Sequence, residues 1–207
     1  PVSNVNDTPS GSVNISGNPT QGQTLTASNS LADTDGLGSI SYQWLRGGNS
    51  ILGAISNTYT LTQADVGQTI AVKASYTDGL GTLETKNSSV ISSVSNVNDA
   101  PSGSVSIIGN PSQGQTLTAT NTLADIDGLG NIGYQWLRGN TTIAGAVNIT
   151  YILTQTDVGQ TIAVKASYID GFGSSETKTS AATAVVSNIN DQPTGTVTIA
   201  GNLILGE

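Results

Sequence analysis

The side chains with the most chemical potential in this sequence are carboxylates and carboxamides, and their spacing repeats. Asn6 and Asp7 precede a proline in NDTP, Asp33 and Asp35 lie in LADTDGLG, and Asp78 opens DGLG; they return as Asn98 and Asp99, Asp125 and Asp127, and Asp170. None of these short segments contains Lys or Arg. Two like charges about 4 Å apart cost on the order of 1 kcal/mol even at the dielectric of bulk water, and more near protein. Four carboxylates gathered at one place would therefore favour a cation. Calcium takes roughly 6 to 8 hard oxygen ligands, and a chain without Cys or His offers an oxygen-only donor set that suits it better than zinc or copper, with magnesium the poorer fit. A second reading stands beside this one: Asp and Asn in such segments also bond their own backbone in turns, where Gly supplies positive φ. LADTDGLG lacks the third acidic or Asn position and the closing Glu of an EF-hand loop.

The same composition removes other functions. Without Cys or His there is no thiolate or imidazole metal site and no Ser-His-Asp relay, so the chain reads as non-enzymatic. Six Lys and Arg against fourteen Asp and Glu give a net charge of -8, which repels phosphate backbones and anionic surfaces and argues against nucleic acid as a partner. The apolar runs fall far short of the roughly 20 residues that span a bilayer, and the first residues carry no signal-peptide pattern. The expectation is a soluble, monomeric fragment of a longer protein, without membrane insertion. The lack of Cys fits a reducing compartment or an exported protein without disulfides equally well.

The elements that must position these residues follow from the pattern of the chain. NVND at Asn4 returns at Asn96, and as NIND at Asn188, a period of 92 with 64 identities between the first two copies. The predicted organisation is an incoming linker at 1–7, one repeat at 8–99, a second at 100–191 and the truncated start of a third at 192–207. In that last stretch Leu203, Ile204 and Leu205 stand where the first copy has Pro19, Thr20 and Gln21. A unit of this length can close its own core, unlike the 20 to 45 residues of a solenoid repeat, so each copy is expected to fold alone.

Only 10% of residues are charged, against roughly 25% in ordinary domains. Gly, Ser, Thr and Asn fill the difference, and the apolar runs alternate with a period of two. Val13 and Ile15 predict strand A, Leu25 and Ala27 strand B, Ile40, Tyr42 and Trp44 strand C, Tyr59 and Leu61 strand E, and Ile70, Val72, Ala74 and Tyr76 strand F; residues 83–94 predict a weaker strand G. The fold class is all-β, with seven short strands per unit in a sandwich. In such a sandwich the incoming linker and the B–C and F–G loops share one end, and the E–F loop lies at the other. Asn6, Asp7, Asp33, Asp35 and Asp78 then converge where a preceding domain attaches. At the interior junction the set is Asp99, Asp125, Asp127 and Asp170, with Asp65 arriving from the first unit and Asn96 or Asn98 adding amide oxygens. For Asp65, at the E–F corner, the balance reverses toward a structural partner of Arg46. Glu84 and Glu176 divide evenly between exposed strand charges and ligands.

The order Leu25-x-Ala27, YQW ending at Trp44, and YTLTQADVGQTIAV from Tyr59 resembles an immunoglobulin-like domain. Small apolar residues such as Ala27 and Val72 stand at the two Cys positions, so the core rests on Trp44, Tyr42, Leu25, Ile70 and Val72 without a disulfide. With VNDxP at Val5 and Val97, LADxDGLG and YQWLR, the whole chain resembles the tandem immunoglobulin-like or cadherin-like extender repeats of large bacterial surface adhesins of the RTX type. That resemblance implies sandwiches in an extended array on the cell surface, calcium at the junctions, and the neighbouring repeats of the same chain as partners.

The expected function is a calcium-rigidified spacer that projects a distal binding domain. The alternative is an immunoglobulin-like module that itself contacts a glycan or protein; an accessory domain of a polysaccharide-degrading enzyme finds no catalytic carboxylate pair. Exchanges among Ser, Thr and Asn are the commonest difference between the copies, which favours the spacer. Eight of the nine aromatics recur at matched positions, the pattern of core packing. Phe172, in place of Leu80, is the exception and reads as a junction-packing residue. Asn-x-Ser/Thr triplets such as those at Asn14, Asn87, Asn140 and Asn148 are expected by chance in this composition.

Overall fold

The computed structural model describes residues 5–201 and Gly206; Asn4, Leu203, Ile204 and Leu205 lie outside the described residues. The chain divides into two compact units, Pro1–Asp99 and Ala100–Glu207. Each is an immunoglobulin-like β-sandwich, and among the described residues no helix is long and apolar enough to cross a membrane.

In the first unit, β1 (Val13–Ser16), β2 (Thr24–Asn29) and β5 (Thr58–Thr60) form one antiparallel sheet in the order β1-β2-β5. The facing sheet has β3 (Ser41–Arg46), β4 (Asn49–Ser50), β6 (Ile70–Thr77) and β7 (Leu83–Asn87) in the order β4-β3-β6-β7. The second unit repeats both sheets. Its β8 (Val105–Ile108), β9 (Thr116–Asn121) and β12 (Thr150–Ile152) face β10 (Gly133–Arg138), β11 (Thr141–Thr142), β13 (Ile162–Ile169) and β14 (Ser175–Thr179). Registers are conserved, with Trp44 opposite Val72 and Trp136 opposite Val164.

The alternation seen in the sequence is the alternation of burial. Leu25, Trp44, Ile70, Val72 and Ala74 are fully buried, and Leu117, Trp136, Ile162, Val164 and Ala166 match them. Burying an indole requires an acceptor for its N–H, and Trp44 Nε1 donates to the Ser56 carbonyl at 2.9 Å, as Trp136 does to Asn148. Tyr42, expected in the core, is only partly buried because its hydroxyl takes a hydrogen bond from Asn29 Nδ2 at 2.7 Å. Two strands differ from expectation. The two-residue polar strand β4 carries no alternation that could announce it, and strand G stops at Asn87 rather than continuing to Val94. There the Ser88 hydroxyl accepts from Val72 N–H at 3.0 Å, a side chain competing with the ladder. Ser88 and Ile91 N–H still donate to the Val72 and Ile70 carbonyls at 2.8 and 2.9 Å, and Val94 and Ser95 then form parallel bridges to Val66 and Thr20. Residues 192–201 contain no strand, and Val197 and Ile199, which match Val13 and Ile15, are exposed.

Trp44→Ala removes the largest buried side chain of the first core and is expected to cost that unit about 3–5 kcal/mol, read as the first of two transitions in denaturant unfolding. Unchanged unfolding of both units would contradict this packing.

Candidate functional site

The B–C and F–G loops meet at one end of each unit, and glycine makes the approach possible. A Cβ on Gly38 would stand 2.1 Å from the Thr77 carbonyl oxygen, and one on Gly79 would stand 2.5 Å from that of Asp35. The loops are joined by Gly79 N–H donating to the Asp35 carbonyl at 3.0 Å, repeated by Gly171 and Asp127. The incoming chain reaches the same end. Asp7 N–H donates to Asp35 Oδ2 at 2.7 Å, Asn6 Nδ2 to Glu84 Oε1 at 2.7 Å, and Lys86 Nζ to the Pro9 carbonyl at 3.3 Å.

Turn chemistry accounts for one oxygen of each key carboxylate. Asp33 Oδ1 accepts from Asp35 N–H at 2.9 Å, and Asp78 Oδ1 accepts from Leu80 and Thr82 N–H at 2.9 and 2.7 Å. The second oxygens differ. Asp33 Oδ2 takes the Tyr76 hydroxyl at 2.5 Å, whereas Asp78 Oδ2 is buried without a hydrogen-bond partner. The second unit repeats both results: Asp125 accepts from Asp127 N–H and from Tyr168, and Asp170 holds Phe172 and Ser174 N–H through Oδ1 while its Oδ2 is buried and unpartnered. Asp127 and Asp170 are themselves buried.

This end of the unit is negative. Burial first, then the hydrogen bond to Asp33, pushes the Tyr76 hydroxyl well above the usual tyrosine value, and the charges of Glu84 and Asp78 add to the shift. Tyr168 responds alike to burial, Asp125, Glu176 and Asp170. Burial would raise the Asp170 carboxyl, but the donors from Ser174 and Phe172 outweigh it and hold the group below the ordinary carboxylate range, hence ionised. The donor set is hard oxygen throughout, and a buried carboxylate oxygen without a donor is the kind of group a cation satisfies. Among the described residues, however, no group of three or more acidic side chains is positioned to hold a metal ion. The turns and the tyrosine hydrogen bonds hold several of these oxygens in other directions.

The remaining candidates lie elsewhere. Asp65, proposed from sequence as a donor reaching the junction, is fully buried, and both of its oxygens are occupied. Arg46 Nε approaches Oδ1 at 2.7 Å, and the Tyr59 hydroxyl and the Thr62 N–H and hydroxyl reach Oδ2 at 2.9, 2.7 and 2.8 Å. Asp65 closes the capping box of the short 3-10 helix Gln63–Asp65, so its donors come from the fold and it is a structural residue. Asp157 repeats the arrangement with Arg138, Tyr151 and Thr154. Asp99 lies in the outgoing segment of the first unit, where Oδ2 accepts from Gln21 Nε2 at 3.3 Å. Asn98 is exposed in that segment, and Asn96 Oδ1 is buried without a partner. Sequence reasoning passed over two kinds of residue: the core tyrosines whose hydroxyls hold Asp33 and Asp125, and Gln21 with its counterpart Gln113. The exact repetition of Gln in NPxQGQ was the available signal.

No protein-family model matches the chain, and no curated protein sequence matches it. Among solved structures, the fibronectin(III)-like modules of Clostridium thermocellum CbhA are similar at 15% identity with a TM-score of 0.30, over 89% of this chain and 100% of that one.

The buried Asp65 network gives a pH signature. Burial alone would raise its carboxyl, but Arg46, Thr62 and Tyr59 together hold it below the ordinary value of 3.8. A folded pKa below the unfolded one stabilises fully above the unfolded value, and the contribution is lost as pH falls through the folded value. Asp65→Asn is expected to lower stability at neutral pH and to flatten the loss of stability below about pH 4, followed by tryptophan fluorescence. An acid limb as steep as that of the parent chain would remove Asp65 from this role.

Proposed function

We propose that the chain is a non-catalytic spacer from a bacterial cell-surface adhesin, whose tandem sandwiches are stiffened at their junctions by calcium. The observation that carries the reading is the buried, donorless Oδ2 of Asp78, reproduced at Asp170. A carboxylate oxygen buried without a partner costs about 1–3 kcal/mol or more, and keeping one in both copies is accounted for by a ligand that completes it. Asp78, Asp33, Asp35 and the Asn6-Asp7 segment would supply oxygens for the first unit, and Asp170, Asp125, Asp127 and the Asn98-Asp99 segment for the second. The ion supplies positive charge among carboxylates that have no cationic side chain in their own loops. Because these side chains are not preassembled around one point, binding would be coupled to closure of the B–C and F–G loops. The chain's own contribution is to bring the linker against those loops through Asp35, Glu84 and Lys86.

A second reading, a module that contacts a partner directly, gains support from differences between the copies. Ser16, Thr34, Asn57, Thr60 and Thr77 are replaced by Ile108, Ile126, Ile149, Ile152 and Ile169, which are 54 to 67% exposed. Such polar-to-isoleucine changes on the surface of one copy go beyond exchanges among Ser, Thr and Asn. Saturable binding of the whole chain in a glycan-array screen would place this reading first.

Calcium at 100 times its dissociation constant stabilises a folded protein by about 2.7 kcal/mol, so the melting temperature is expected to rise by several degrees on adding calcium and to fall with chelator. Asp78→Asn together with Asp170→Asn is expected to abolish the rise while both units remain folded. Identical melting temperatures and identical maximum dimensions in small-angle scattering, with calcium and with chelator, would leave turn chemistry as the sole role of these residues.

A further inference from the structure

We propose that residues 94–99 and 186–191 are latches that resist tension at the outgoing end of each unit, fastened by Gln21 and Gln113. The spacer reading gives the latch its setting, but its chemistry needs no ion. Within the first unit the chain arrives beside Asp35 and Glu84 and leaves beside Gln21 and Gln68, at the opposite end. Tension along the chain therefore passes through whatever holds the outgoing segment.

That segment is hydrogen-bonded to two neighbouring turns. Val94 N–H donates to the Gln68 carbonyl at 3.0 Å and its carbonyl accepts from Gly67 at 2.9 Å. Ser95 N–H donates to Pro19 at 2.8 Å and its carbonyl accepts from Gln21 N–H at 3.0 Å. Both pairings are parallel bridges. The Gln21 side chain then reaches past the last bridge, accepting from Val97 N–H at 3.1 Å and donating to Asp99 at 3.3 Å. Every part recurs at Val186 and Ser187, where Gln113 accepts from Ile189 N–H and donates to Asp191, both at 3.3 Å.

The geometry gives the latch its mechanical sense. Bonds of a parallel bridge lie across the direction in which the outgoing chain is pulled, so they are sheared together rather than opened one at a time. A glutamine suits the last position because its amide offers both an accepting oxygen and a donating NH2 group. It can therefore hold a backbone N–H and a carboxylate at once, which neither Glu nor Lys can do.

The test uses the whole chain in chelator. In Gln21→Ala, hydrogen exchange at Val97 N–H is expected to accelerate about fivefold, the worth of a typical net hydrogen bond, with Ile189 and the core amide of Trp44 unchanged. Gln21→Glu should keep the acceptor for Val97 but repel Asp99, giving a smaller acceleration. Pulled through its ends in an optical trap, the Gln21→Ala chain should show one weakened unfolding event beside one of parental force. Unchanged exchange at Val97, loosening of Trp44 to the same degree, or two events of parental force would overturn the latch. An absent calcium effect would overturn only the ion.

Discussion

A carboxylate carried into a protein interior has to replace the water at both of its oxygens, and each unit meets that demand fully at one aspartate and halfway at another. At Asp65 the donors come from strand C through Arg46, from strand E through Tyr59 and from the start of the 3-10 helix through Thr62. One buried charge thus fixes three parts of the sandwich relative to one another and closes the end where the chain leaves. At Asp78 the loop supplies N–H groups to one oxygen and nothing to the other. The two ends of the unit differ in this respect: one is electrostatically complete, and the other holds net negative charge.

The paired sheets make that contrast possible. Trp44 and the apolar residues around it fill the space between the sheets without a disulfide, and all core positions carry the same residue in the second unit. With the core constant, the loops and outer faces are where the copies differ. The close contact of the B–C and F–G loops depends on Gly38 and Gly79 and is retained through Gly130 and Gly171. The exposed isoleucines of the second unit, by contrast, alter surface chemistry without touching the core.

The fold was legible because burial in a sandwich alternates along each strand, and that period is written into ISYQWLR and TIAVKASY. The repeat of 92 residues, the Trp44 core and the gathering of Asp33, Asp35 and Asp78 at the end where the linker arrives followed from pattern and strand order alone. Strand β4, with two polar residues, left no such trace, and the early end of strand G depends on the Ser88 hydroxyl meeting a neighbouring backbone N–H.

The direction of each side chain was a different matter. Sequence offered Arg46 as a structural partner for Asp65 and left Asp78 as a ligand or a turn residue. Only the tertiary structure decided that Tyr59 and Thr62 join Arg46 around Asp65 while Asp78 keeps an unpartnered oxygen, because both outcomes depend on how the chain folds around each carboxylate. The same holds for Gln21, a polar residue in a turn whose partners, Val97 and Asp99, lie more than seventy positions away. Periodicity records which face of a strand is buried; it carries no record of which distant groups a polar atom will meet there.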